Sequence, residues 1–175
     1  MSKDSIVLIG FMGSGKSSVG KILAEKTGFE WIDTDSFIEQ EEERSISDIF
    51  RIEGETYFRK VETTLLTRLV KDDFTPRIFS IGGGTPITPA NQPLLHQLGF
   101  IVYLSASPIT IQSRLQTDTS RPLLQNDSWH ETLQALMTKR LPVYEEMAQI
   151  TVSTDQKEVE EIASIILDAR KQLPY

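Results

Sequence analysis

Residues 10–18 read Gly-Phe-Met-Gly-Ser-Gly-Lys-Ser-Ser and directly follow the apolar run Ile6-Val7-Leu8-Ile9. Gly10, Gly15, Lys16 and Ser17 stand at the fixed positions of the pattern G-x-x-x-x-G-K-[ST]. These residue types at this spacing suit the binding of a nucleoside triphosphate. Backbone N–H groups have to curl around a phosphate at close range, and side chains at the glycine positions would block that approach. A helix over residues 16–27 then points its positive N-terminal end at the same phosphates. Lys16 reaches toward the β- and γ-phosphates and the Ser17 hydroxyl serves Mg²⁺. Gly13, Ser14, Gly15 and Ser18 complete the ATP-binding loop. The pattern does not say where the phosphoryl group goes.

Three further stretches could take an acceptor. In Asp33-Thr34-Asp35, positions i and i+2 of an extended chain share a side, which aims both carboxylates into one cavity. One would then serve Mg²⁺ and the other the substrate hydroxyls; the alternative is a polar strand end with a helix cap at Asp35 or Ser36. The second stretch is Gly82-Gly83-Gly84, behind a strand-like run over 77–81, where a ligand can lie directly on backbone. No aspartate stands there for a metal, so Asp33 is the metal-side carboxylate together with Ser17. The third is a set of arginines, whose planar guanidinium pairs with carboxylate or phosphate through two parallel hydrogen bonds. Arg59 follows Phe58 on a helical pattern with Glu62 three residues on, close enough to orient it. Arg121 opens Arg-Pro-Leu-Leu within the polar stretch 116–126, a candidate flap, and Arg140 ends a helical segment before Leu-Pro-Val-Tyr144.

The elements that must position these residues alternate between strand and helix. Apolar runs at 5–10, 30–33, 77–81, 100–104 and 149–152 predict five strands. In the helical stretch 55–71, Phe58, Val61, Leu65, Leu66 and Leu69 form one apolar face. Thr88-Pro89 and Ser107-Pro108 read as helix starts, and 128–131 and 155–158 resemble capping boxes. Such alternation implies a parallel sheet covered on both faces, a three-layer α/β/α sandwich in a single domain over 1–175. The acidic run 39–44 reads as a solvated helix face, and His96 and His130 show no metal spacing.

Composition bounds the function. The 175 residues carry a net charge of −7, with 39% hydrophobic and 25% charged residues and no cysteine. Disulfides and thiolate chemistry are excluded, and the charge argues against general nucleic-acid binding. No apolar run approaches the roughly 20 residues that span a bilayer, and the N-terminus shows no signal peptide. The expectation is a cytoplasmic protein with no membrane partner.

In order along the chain, Gly-Phe-Met-Gly-Ser-Gly-Lys-Ser-Ser, Asp-Thr-Asp, Ile-Ser-Asp-Ile-Phe50, Gly54 with Phe58-Arg59 and Glu62, Gly-Gly-Gly, Arg-Pro-Leu-Leu and Arg140 with Tyr144 resemble the shikimate kinase family of phosphate-loop proteins. The resemblance implies strand order 2-3-1-4-5, a lid at about 116–126, a substrate-binding helical region at about 36–62, and ATP-dependent phosphorylation of the 3-hydroxyl of shikimate. It implies that Asp35 binds ring hydroxyls, that Arg59 and Arg140 bind the shikimate carboxylate, and that Gly82, Gly83 and Gly84 line that pocket beside an apolar wall of Phe50 and Phe58. Arg121 would close over the phosphates as a catalytic residue with Lys16 and Asp33, and Asp33 would serve Mg²⁺ through water or help activate the hydroxyl. Arg114 would stack near adenine, which Thr154-Asp155-Gln156 would also touch. A monomer is the usual state of such small kinases. Two rivals stay open: a kinase of another small acceptor such as gluconate or a nucleoside monophosphate, and a nucleotide-binding protein without turnover. Acceptor-dependent ADP release separates all three.

Overall fold

The computed structural model describes residues 4–72, 75–116 and 129–172. In chain order the elements are β1 (Ile6–Ile9), α1 (Lys16–Thr27), β2 (Glu30–Asp33), α2 (Thr34–Glu42), α3 (Ile46–Glu53), α4 (Glu55–Lys71), β3 (Arg77–Ser80), α5 (Gln92–Leu98), β4 (Phe100–Ser105), α6 (Pro108–Gln116), α7 (Trp129–Met147), β5 (Ile150–Ser153) and α8 (Val159–Gln172). The five strands are parallel in the order β2-β3-β1-β4-β5, as expected.

β1 is central, with Val7 registered against both Phe79 and Ile101. Successive side chains of a strand point to opposite faces, so Val7 and Ile9 enter one core and Ile6 and Leu8 the other. The first core is closed by α4, α5, α6 and α7 through residues such as Leu66, Leu95, Ile111 and Tyr144. The second is closed by α1 and α8 through Val19, Leu23, Ile162 and Ile166. Both faces are covered, which is why the β1 sequence is apolar without alternation. The ends of β1, β2 and β3 all open toward the start of α1, where the phosphate loop sits.

Several local readings change. Asp155 does not start α8; its carboxylate accepts from Ser107 N (3.1 Å) and from Ser107 Oγ, and so holds the start of α6 instead. Ser107 does cap α6, accepting from Thr110 N at 3.2 Å, whereas Thr88 precedes only a 3₁₀ turn, Pro89–Asn91, and makes no side-chain cap bond. The run 39–44 is more than a solvated face. Glu39 accepts from Ile46 N, Glu41 pairs with Arg68, and Glu42 bonds Arg44 and Tyr57, which ties α2 to α3 and α4. Ser128, the first residue of the other suggested box, lies outside the described residues.

One contact fixes the loop-bearing helix to the sheet. Trp31 Nε1 donates to Ser80 Oγ (3.0 Å), which donates to the Lys16 carbonyl (3.0 Å). A Cβ on Gly20 would fall 2.4 Å from Trp31 Nε1 and 2.7 Å from Ser80 Oγ. Alanine is ordinarily about 1 kcal/mol better than glycine inside a helix, but here the indole has to move and the chain of bonds breaks. Gly20→Ala is therefore expected to cost about 1–3 kcal/mol, a fall in Tm of roughly 2–12 °C at this chain length. A melt followed by circular dichroism that shows an unchanged or higher Tm would contradict this packing.

Candidate active site

The glycine loop leaves β1 and enters α1 through Gly15, whose φ of +94° lies in the left-handed region that side chains disfavour. A Cβ there would meet nothing within 4 Å among the described residues, so the backbone angle, not crowding by them, selects glycine. Lys16 Nζ folds back over the loop and donates to Gly10 O and Phe11 O, each at 3.0 Å. The Ser14 hydroxyl is buried within the loop and has no hydrogen-bond partner among the described residues. Buried polar groups are normally bonded, so an oxygen left in this state at the bend of the loop suits a site completed by a ligand. Gly13, Ser14, Gly15, Lys16, Ser17 and Ser18 all lie at this turn and the start of α1.

Asp33 and Asp35 are not arranged as an extended strand end. α2 begins at Thr34 because the Asp33 side chain caps it, accepting from Asp35 N (3.1 Å) and Ser36 N (3.3 Å). The cap is Asp33 itself, and Asp35 lies in the first turn of the helix. The two carboxylates consequently face different neighbours. Asp33 Oδ2 accepts from Ser17 Oγ at 2.6 Å, on the phosphate side. Asp35 packs against the glycine loop, its Oδ1 2.4 Å from where a Gly82 Cβ would stand.

Arg59 and Arg140 converge at that loop. Arg59, Gly84 and Arg140 share a cleft of about 570 Å³, with Glu55, Leu136 and Lys139 also lining it. Arg59 Nη1 donates to Glu62 (2.7 Å), while its Nε and Nη2 both donate to Glu55 Oε1 (3.2 and 3.1 Å). Glu62 is only 3% exposed and also accepts from Thr85 Oγ1 at 2.5 Å. Burial pushes its carboxyl above the usual range, against the pull of Arg59 and Thr85. The guanidinium lies 5.9 Å from the Phe50 ring and 5.5 Å from the Phe58 ring, and those rings pack at 4.8 Å, so the phenylalanine wall stands beside Arg59. Arg140 lies over Phe11 at 5.7 Å, a loop residue that the sequence pattern leaves unspecified. The two halves touch at Gly83, where a Cβ would be 3.4 Å from Gly10 O and 3.6 Å from Arg140 Nη1. Thr34 braces the junction, its Oγ1 accepting from Gly82 N at 3.0 Å.

Arg114 reaches the phosphate loop from α6. It donates to Gly13 O (3.0 Å), Thr154 Oγ1 (3.1 Å) and Thr154 O (3.2 Å), and so joins that loop to the segment after β5. Arg121 and the suggested lid, apart from Gln116 at its start, lie outside the described residues. Sequence reasoning did not assign Glu55, Thr85, Phe11 or Thr34 to the site. Only Glu55 carried a signal, its i,i+4 spacing to Arg59.

A nucleotide loop on β1 beside a separate arginine-lined cleft, on a sheet of this strand order, defines a phosphate-loop kinase of the nucleoside-monophosphate-kinase-like kind. The family model for shikimate kinase matches residues 12–171. The shikimate kinase of Actinobacillus pleuropneumoniae serotype 5b (strain L20) is 40% identical over 166 residues, which cover 95% of each chain. Among solved structures, shikimate kinase from Acinetobacter baumannii in complex with shikimate has a TM-score of 0.90 at 35% identity, covering 99% of this chain and 97% of that one. The Bacteroides thetaiotaomicron shikimate kinase has a TM-score of 0.86 at 28% identity, covering 95% of this chain and 98% of that one. The chain belongs to the shikimate kinase family.

Proposed function

We propose that this protein transfers the γ-phosphoryl group of ATP to the 3-hydroxyl of shikimate, giving shikimate 3-phosphate and ADP, within the shikimate pathway that leads to chorismate and the aromatic amino acids. The observation that carries the reading is the close approach at Gly83, where even an added Cβ would lie 3.4 Å from Gly10 O of the phosphate loop and 3.6 Å from Arg140 Nη1 of the two-arginine cleft. A hydroxylated carboxylic acid held there by Arg59 and Arg140 would have its ring against Gly82–Gly84, with Asp35 accepting from its hydroxyls and Phe50 and Phe58 flanking Arg59. Phosphoryl transfer depends mainly on positioning and on stabilising charge. Lys16 supplies positive charge at the β- and γ-phosphates, and the loop N–H groups and Ser14, Ser17 and Ser18 hold them.

Ser17 Oγ and Asp33 Oδ2, 2.6 Å apart, are hard oxygen donors of the kind Mg²⁺ prefers while it keeps most of its water and phosphate ligands. Mg²⁺ bound there would neutralise phosphate charge. Asp33 is anchored by the two N–H groups that it caps, so its other oxygen is held toward Ser17. Arg121 carries the lid-side charge by its Arg-Pro-Leu-Leu motif, and Arg114 orders the adenine side through Gly13 and Thr154. The reading extends to one domain over 1–175, a cytoplasmic monomer acting on small molecules without nucleic acid or membrane. The net charge of −7 argues against general nucleic-acid binding, and among the described residues no helix is long and apolar enough to cross a membrane.

ADP release with ATP and Mg²⁺ tests the proposal, comparing shikimate, gluconate and no acceptor. Strong dependence on shikimate is expected. Activity with gluconate alone would overturn the acceptor, and release that no acceptor changes would overturn the kinase reading.

A further inference from the structure

Tyr144 is fully buried in the core below the acceptor cleft, its ring 5.4 Å from that of Tyr103. A phenylalanine would fill the same volume, and a hydroxyl in such a place is costly unless it is bonded. The Tyr144 hydroxyl donates to the carbonyl of Gly83 at 2.5 Å, across 61 residues of sequence. Burial raises this phenol to about 12, so it remains a neutral donor throughout the working range of pH.

The acceptor loop needs such a partner. Three consecutive glycines can turn their peptide planes at little steric cost. The ends of the loop are held by other bonds: Gly82 N donates to Thr34 Oγ1, Gly82 O accepts from Thr85 N, and Gly84 O accepts from Ile87 N. The peptide between Gly83 and Gly84 is held through its carbonyl by Tyr144. It is trans and planar, so its N–H, that of Gly84, points opposite to the Gly83 carbonyl. Gly84 lines the cleft with Arg59 and Arg140. Tyr144 also lies one helical turn beyond Arg140, so the two side chains share a face of α7 and meet the loop together at Gly83.

We propose that Tyr144 is a positioning residue for the acceptor: its hydroxyl latches the Gly83 carbonyl and thereby aims the Gly84 N–H into the acceptor cleft. This rests on the acceptor reading given above. Tyr144 touches neither substrate; it acts through the Gly83 carbonyl that its hydroxyl holds, with the Arg140 guanidinium facing the same hydroxyl. The phosphate loop has further ties of its own, through Lys16, Arg114 and the Ser80 bond to the Lys16 carbonyl.

The test compares wild type, Tyr144→Phe and Tyr103→Phe, with KM for shikimate and for ATP measured separately. Tyr144→Phe is expected to raise the KM for shikimate about tenfold and to leave that for ATP within about twofold. Tyr103→Phe, the same deletion one ring away, is expected to change neither. A shikimate KM within about twofold of wild type in Tyr144→Phe overturns the proposal, as does an equal rise for both substrates or an equal effect of Tyr103→Phe. Wild-type protein that releases no ADP with shikimate overturns the acceptor reading and this proposal with it. Wild-type activity that Tyr144→Phe leaves unmoved overturns the proposal alone. Should Tyr144→Phe fail to fold, the Gly84 amide of the wild-type protein decides by nuclear magnetic resonance. Its resonance is expected to move on titration with shikimate, and an amide that does not move overturns the latch.

Discussion

Lys16→Met is expected to lower turnover by about a thousandfold or more while leaving the protein folded. The transferring phosphoryl group carries its charge on oxygens that leave little for covalent chemistry to do, so loss of a fixed cation removes stabilisation where charge is most concentrated. The lysine ammonium donates to Gly10 O and Phe11 O, both within its own loop. The left-handed turn at Gly15 and the anchor from Ser80 to the Lys16 carbonyl are backbone features that methionine keeps. Methionine also keeps most of the apolar stem that packs at the start of α1. The effect should therefore appear in kcat, with Tm within a few degrees of wild type. A variant with a near-normal rate would remove the phosphate-loop assignment, and one that unfolds would show that the lysine has a structural duty the hydrogen bonds do not reveal.

The phosphate loop was legible because its chemistry is local. Each glycine, the lysine and the serine lie within one turn between a strand and a helix, and residue type there maps directly onto backbone geometry. Five strands and two covered faces also followed from apolar runs, since a strand buried on both sides has to be apolar throughout. The strand order came from the family resemblance; periodicity alone does not give it. The Asp33–Asp35 stretch misled because two local structures compete for it. Spacing two apart fits an extended chain, but an aspartate whose carboxylate can reach the N–H groups two and three residues on starts a helix. Asp155 was hidden for a different reason. The amide it bonds belongs to Ser107, and the two loops become neighbours only once β4 and β5 pair. Arg114 with Gly13, and Tyr144 with Gly83, are long-range in the same sense. Glu62 was readable as a partner of Arg59 from its spacing. Its burial had a visible sign, since it falls on the same helical face as Phe58, Leu65, Leu66 and Leu69.

That burial shapes what Arg59 variants should do. Arg59→Ala is expected to raise the KM for the acceptor about a hundredfold, with ATP binding within about twofold. It also strands Glu62, which is 3% exposed and keeps only Thr85 among the partners seen here apart from the more distant Arg140. Removing one partner of a buried pair costs about 3 kcal/mol or more, so Tm should fall by roughly 6–12 °C. Affinity loss and instability are then mixed in one variant, and two others separate them. Arg59→Lys leaves a cation for Glu62 but lacks the planar fork that reads a carboxylate through two parallel bonds. It should keep most of the wild-type Tm and still lose about tenfold in acceptor KM. Adding Glu62→Gln to Arg59→Ala removes the stranded charge, so it should recover much of the Tm and none of the acceptor affinity. Calorimetry with ATP and with shikimate on each variant, beside thermal melts, gives both readouts. If acceptor affinity returned together with Tm in the double variant, Arg59 would be a structural partner of Glu62 and the carboxylate would have to be read by Arg140. If ATP affinity fell as far as acceptor affinity in Arg59→Ala, the division of the site into a phosphate loop and a separate arginine cleft would fail, because Arg59 reaches only the second of these through Gly84.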